Sequence, residues 1–170
     1  DQAQFDLVPP GAPDNYVIYR AGFNYLRSLP ADLQFRVNMS GQTSPDMLLP
    51  GEQFGIGGQD SVRGFLEREI INDTGFRGTT ELYSPDFGPR TTLANLRARV
   101  LAFYAWGPVS RNDPQPFDVT GAHIASAGVG LRLFHASSLS VRADYARVVD
   151  GAGTRNSGDW RGHFSLIYAF

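Results

Sequence analysis

The sequence has no cysteine and no lysine. Without cysteine there is no disulfide frame and no thiolate metal site. All fifteen basic residues are arginine, which codon usage explains as readily as function does. Charge is also scarce: 19% of residues, against about 25% in ordinary soluble domains. The net charge of -2 excludes bulk electrostatic attraction to nucleic acid. No apolar run reaches the roughly 18 residues of a membrane helix; "VLAFYAWGPV" at 100–109 is among the longest. The opening "DQAQFDLVPPGAPD" carries no basic start followed by an apolar core, so it does not read as a secretory leader. The chain reads as beginning well inside a longer protein.

What the sequence does have is a period of two, the period of strands. Within 16–26, Val17, Tyr19, Ala21, Phe23 and Tyr25 alternate with Ile18, Arg20, Gly22 and Asn24. Within 33–40, Leu33, Phe35, Val37 and Met39 alternate with Gln34, Arg36, Asn38 and Ser40. Residues 76–84 form a weaker strand with Arg77, Thr79, Glu81 and Tyr83 on one side. Strands over 95–105, 123–134 and 138–147 follow the same rule, and "GHFSLIYAF" closes the chain. No segment sustains a helical period.

These are seven expected strands. The connectors "SLPA", "SPDFGPRTT" and "HASS" are short, whereas 41–75, 107–121 and 149–160 are long and rich in Gly, Asp, Asn and Pro. Long loops at one end and short turns at the other are the habit of transmembrane β-barrels. A soluble β-sandwich shares the alternation but has no reason for that asymmetry. The polar faces carry Arg20, Arg36, Arg77, Arg97, Arg99, Arg132 and Arg142, with only Glu81 and Asp144 as acids. Lipid cannot satisfy such charges and a wet lumen can, so these faces are expected to point inward. They form either a simple wet wall or a positive conduit for an unfolded chain. Tyr16, Trp106 and Trp160 fall at the long-loop end and Tyr83 and Phe170 at the other, as aromatic girdles would. Bacterial barrels close with an even number of strands, at least eight. "QFDLV" at 4–8 could end one more, but the fuller reading is an all-β chain, 1–170, forming the C-terminal part of one larger barrel.

Several stretches resemble a known family, in its order: "GQTSPDMLLPGEQFGIGGQDSVRGF" (41–65), "GFRGTTELYSP" (75–85), "FYAWG" (103–107), "ASAGVGLRL" (125–133), "LSVRADYA" (139–146) and "HFSLIYAF" (163–170). They resemble two-partner secretion transporters, the TpsB proteins of ShlB/FhaC/HecB type. The "EQFxIGGxxSVRGF" block is the most specific of them. The resemblance implies a sixteen-stranded outer-membrane barrel preceded by POTRA domains. It implies export of one large partner polypeptide of haemolysin or adhesin type to the surface of a Gram-negative cell, without ATP or any cofactor. Further partners would be outer-membrane lipid and the barrel-assembly machinery. It also implies that 41–75 is a surface loop folding back into the barrel, with Val62, Arg63, Gly64 and Phe65 at its tip and Gly57 and Gly58 on the approach.

A guanidinium returning into a barrel needs a partner or costs several kcal/mol. The family would supply an acid where this chain has Ala105, on the same face as Phe103. Glu81 on the preceding strand is then the expected partner, the alternative being carbonyl groups of the loop itself. The C-terminal alternation of Phe164, Leu166, Tyr168 and Phe170 reads as a last strand and also resembles the aromatic-ended signal for barrel insertion.

Competing chemistry is poorly supported. "GIGGQDS" lacks the lysine and the following helix of a phosphate loop. His123, His135 and His163 share no metal-ligand spacing. His123 or His163 near Asp159 would imitate a rim protease, but no nucleophile accompanies them, so no enzyme is expected. Asp46, Glu52, Asp60, Glu67, Glu69 and Asp73 give the loop an acidic cast without EF-hand spacing, so a solvated loop is expected. A barrel-assembly factor of the same superfamily and a passive porin are the alternative functions.

Overall fold

The computed structural model describes residues 15–112, 114, 120–136 and 138–170. Seven strands form one sheet in the order β1 (Tyr19–Ser28), β2 (Gln34–Thr43), β5 (Thr74–Tyr83), β6 (Leu96–Ser110), β7 (Gly121–His135), β8 (Leu139–Asp150) and β9 (Trp160–Tyr168). Each pairs antiparallel with the next. Two short strands, β3 (Phe54–Ile56) and β4 (Ile70–Asn72), pair with each other inside the long loop. No α-helix occurs among the described residues. Among the described residues β1 and β9 each have one neighbour, so the seven strands form an open wall, as part of a barrel would. The stretch 4–8 lies outside the described residues.

Alternation decides which side is which. One face presents Tyr19, Phe23, Tyr25, Leu82, Val100, Tyr104, Val129, Tyr145, Phe164, Leu166 and Tyr168, all exposed. This largely apolar surface, interrupted by Arg27 and Arg147, is the one that lipid would cover. The other face carries the arginines named above.

Strand ends differ from the periodicity. Several strands run on toward the long loops: β2 to Thr43, β6 to Ser110 and β8 to Asp150. The returning loop is therefore 44–73 rather than 41–75. Connector 84–95 is longer than its turn residues suggested, because β6 begins only at Leu96. Tyr83 is a further correction. It belongs to no aromatic girdle, since its ring lies on the inner face, 7% exposed.

The inner face changes character along its length. Toward the short turns it carries Arg36, Arg97, Arg99, Arg132 and Arg142. Toward the long loops it carries Leu101, Phe103, Ala105, Val109, Ile124, Ala146 and Val148, all buried. Loop residues Ile56, Val62 and Phe65, each fully buried, complete one core with this patch. Burying each such side chain stabilises by about 1.5–3 kcal/mol at most. The loop thus lies against the wall, and the patch is its footprint.

The root of the loop is fixed by Asp73, which is fully buried rather than solvated. Its Oδ1 accepts from the Leu48 N–H at 2.9 Å and from Gln53 Nε2 at 3.0 Å. Its Oδ2 accepts from the Asn112 N–H at 2.9 Å. Asn112 Nδ2 in turn donates to the carbonyls of Ser44 and Asp46. One carboxylate so joins both ends of the loop to the next connector.

Candidate functional site

Three rows of paired residues cross the inner wall beneath the loop tip. Running from β5 to β8 they are Thr79–Ala105–Ser126–Val148, Glu81–Phe103–Gly128–Ala146 and Tyr83–Leu101–Gly130–Asp144. Arg63 lies over the middle row. Its guanidinium sits 4.1 Å above the centroid of the Phe103 ring, within cation–π range. Arg63 Nη2 donates to Glu81 Oε1. Glu81 Oε2 accepts from Tyr83 Oη at 2.7 Å, so both carboxylate oxygens are used. Arg63 Nε also reaches the Gln59 carbonyl at 3.5 Å. The Arg63 and Glu81 side chains are each only 6% exposed. Arginine suits such a site because its planar fork stays charged and bonds several acceptors at once.

Ala105 is fully buried in the core that holds Val62 and Phe65. The structure therefore fills position 105 with packing and brings a carboxylate from the neighbouring strand. Asp144 stands on the other flank, its Oδ1 3.9 Å from Arg63 Nη1 and 2.8 Å from Arg132 Nη2.

The loop turns tightly to reach this position. Gly57 and Gly58 have φ of +106° and +104°, and Gly64 has φ of +94°, a region closed to most side chains. A Cβ on Gly58 would collide with the Glu67 carboxylate, and one on Gly57 would meet the Leu66 carbonyl at 2.5 Å. "GIGG" on the approach to the tip is thus a packed turn. The Gly64 N–H donates to His163 Nε2 on β9 at 3.0 Å. Arg142 Nη1 donates to Asp60 Oδ1 at 2.8 Å. Glu69 accepts from the Thr154 backbone and hydroxyl, tying this loop to the connector between β8 and β9. The Glu69 carboxyl lies below its usual range: burial pushes it up, but the Thr154 and Leu66 donors outweigh that.

Lumenal arginines are not bare. All those named from the sequence except Arg77 stand within 4.0 Å of a carboxylate: Arg20 with Glu52, Arg36 with Glu81, Arg97 with Asp86, Arg99 with Asp32, Arg132 with Asp144 and Arg142 with Asp60. Arg77 donates to Ser40 Oγ at 2.8 Å. Such pairing weakens any uniform positive field along the wall. Asp32 and Asp86 organise the short-turn end. The Arg99 hydrogen bond, with the Asp86 N–H, holds the Asp32 carboxyl below its usual value. Burial raises Asp86, but the Ala98 and Gly88 amides more than offset it. Between this end and the loop tip lies a cavity of about 420 Å³, lined by Arg36, Arg97, Arg99, Arg132, Glu81 and Asp60 among others.

The histidines are scattered. His163 meets the loop, and His123 Nδ1 lies 2.7 Å from Asp150 Oδ2 rather than beside Asp159. Phe164, Leu166, Tyr168 and Phe170 are exposed, and the three within β9 share the outward face. Periodicity missed Asp73, Asp144, Tyr83 and His163 as parts of the site. Asp144 gave a signal as one of two acids on the inner face, and Tyr83 gave one by sharing the face of Glu81.

An antiparallel wall with an apolar outer face, a charged inner face and a loop folded onto the latter is the wall of an outer-membrane β-barrel. A family model described as haemolysin secretion/activation protein ShlB/FhaC/HecB matches residues 2–133. The chain belongs to this family of outer-membrane secretion transporters of Gram-negative bacteria; it is not an enzyme family. The match runs from β1 through most of β7, and β8 and β9 lie beyond it. No curated protein matches the chain.

Proposed function

We propose that this chain forms the last seven strands of a sixteen-stranded barrel that exports one large partner polypeptide, of haemolysin or adhesin type, from periplasm to cell surface. No ATP or cofactor takes part. The observation that carries this reading is the seating of 44–73 on the inner wall, with Arg63 at its tip bound to Glu81. A loop so placed occupies the path an exported chain would follow. It is held by contacts that a passing polypeptide could exchange for its own. Val62, Gly64 and Phe65 shape the tip, Phe103 carries it, and the arginines flank the route. Phe164, Leu166, Tyr168 and Phe170 form the lipid-facing strand that the insertion machinery would recognise.

Deleting 60–66 tests the reading. The barrel is expected to insert, seen as heat-modifiable migration, while the partner accumulates inside the cell. Normal secretion by that deletion would defeat the role given to the loop.

A further inference from the structure

Arg63 Nη1 and Asp144 Oδ2 are both buried, and neither has a hydrogen-bond partner among the described residues. Their side chains face each other, with Arg63 Nη1 3.9 Å from Asp144 Oδ1. The guanidinium nitrogen that makes no hydrogen bond thus lies within ion-pair distance of Asp144, whose second oxygen is also unbonded.

The wall is shaped to bring Asp144 there. Gly130 on β7 lies between Leu101 and Asp144. A Cβ at 130 would stand 2.3 Å from Asp144 Oδ1 and 3.1 Å from Arg132 Nη1. Glycine therefore leaves the space that this carboxylate fills. Arg132, from the same strand, holds Oδ1 at 2.8 Å, the same oxygen that lies 3.9 Å from Arg63 Nη1. Within the buried part of the cluster Arg63 and Arg132 stand against Glu81 and Asp144, with the half-exposed Arg36 at its edge, 4.0 Å from Glu81.

We propose that Asp144 is a second carboxylate seat for Arg63. It acts as a positioning residue that, with Glu81, clamps the guanidinium from both flanks of the Phe103 ring. Glu81 binds the loop tip to β5, and Asp144 binds it to β8. The clamp rests on the reading of 44–73 as a docked loop. The competing role for Asp144 is to neutralise Arg132 alone.

The test reads the loop's position on the membrane-inserted protein, not export. Ser126 is fully buried beneath Gly64, and its Oγ has no hydrogen-bond partner among the described residues. A Ser126→Cys thiol, in a sequence without other cysteines, is reached by a maleimide only when the tip lifts. Labelling is expected to be slow in this parent. Asp144→Asn should accelerate it by about tenfold or more, because a buried charge has lost a partner. Asp144→Asn combined with Arg132→Gln should accelerate it too. This pair leaves no orphan inside the wall and decides the matter if the single variant fails to insert. An unchanged rate in the Asp144→Asn/Arg132→Gln protein would assign Asp144 to Arg132 alone and overturn the clamp. So would fast labelling of the parent. Export is scored separately: normal secretion after deleting 60–66 would sink the transport role and leave the clamp standing.

Discussion

The backbone N–H of Gly64 donates to Nε2 of His163 across 99 residues of sequence. The contact joins the loop tip to β9, four strands from Glu81 in the sheet order. It also fixes the state of the ring. Nε2 accepts only when it carries a lone pair, so His163 is neutral with its proton on Nδ1. Together with Glu81 on β5 and Asp144 on β8, the ring makes the tip span most of the wall.

His163→Ala removes that acceptor and leaves a part-buried amide unsatisfied. The docked state should lose about 1–2 kcal/mol. In the Ser126→Cys background this reads as roughly five- to thirtyfold faster thiol labelling, at about 1.4 kcal/mol per tenfold. An unchanged rate would show that the tip does not depend on β9.

Arg63→Ala and Glu81→Gln should each weaken docking by about 3–5 kcal/mol, since each strips a buried charge of its partner. Secretion should fall sharply in both. The double variant should lose much less than the sum, because the two residues act as one unit. Additive losses, measured by thiol labelling in the four proteins of that cycle, would show that they act independently.

Asp73→Ala leaves three donors without their acceptor: the amides of Leu48 and Asn112 and the Gln53 side chain. Each buried orphan costs about 1–3 kcal/mol. Limited proteolysis on whole cells should then nick 44–53, which the parent protects. The strands should survive, because their ladders do not involve this carboxylate. Loss of the whole barrel instead would move Asp73 from the loop root to the fold itself.

Glu69 gives the attachment between loops a pH signature. Its folded-state carboxyl lies below the ordinary 4.5. A depressed carboxylate contributes stability that is complete above the unfolded value and is lost as pH falls through the folded one. The contact with Thr154 should therefore be intact from neutrality down to about pH 5 and be lost progressively as pH falls further. Glu69→Gln should abolish the pH dependence and loosen 151–159 even at neutral pH. Amide exchange of Thr154 as a function of pH reads both outcomes.

Some of this was legible without coordinates. Period two gave the seven strands, their faces and the outward apolar surface, because a pleated chain in lipid has no other way to separate apolar from charged side chains. The resemblance of "SVRGF" to the transporter family implied a returning arginine, and Glu81 on an inward face offered one acid within reach.

Other features were written in the sequence but needed the loop to give them meaning. Leu101, Phe103, Ala146 and Val148 follow Arg97, Arg99, Arg142 and Asp144 on the same faces. That change from charge to grease is the footprint of 44–73. Period-two counting passes over it, since it records alternation and not what covers a face.

The sequence alone determined the strands and the inward charges, because these follow from local periodicity and desolvation, while the arginine on a returning loop was implied by the resemblance to the transporter family. Tertiary structure alone decided which carboxylates flank Arg63, that Asp73 is a buried hub, that Gly130 is space for Asp144, and that His163 meets Gly64. Those relationships run laterally across paired strands far apart in the chain. Register and the path of one loop set them, and no spacing along the sequence encodes either.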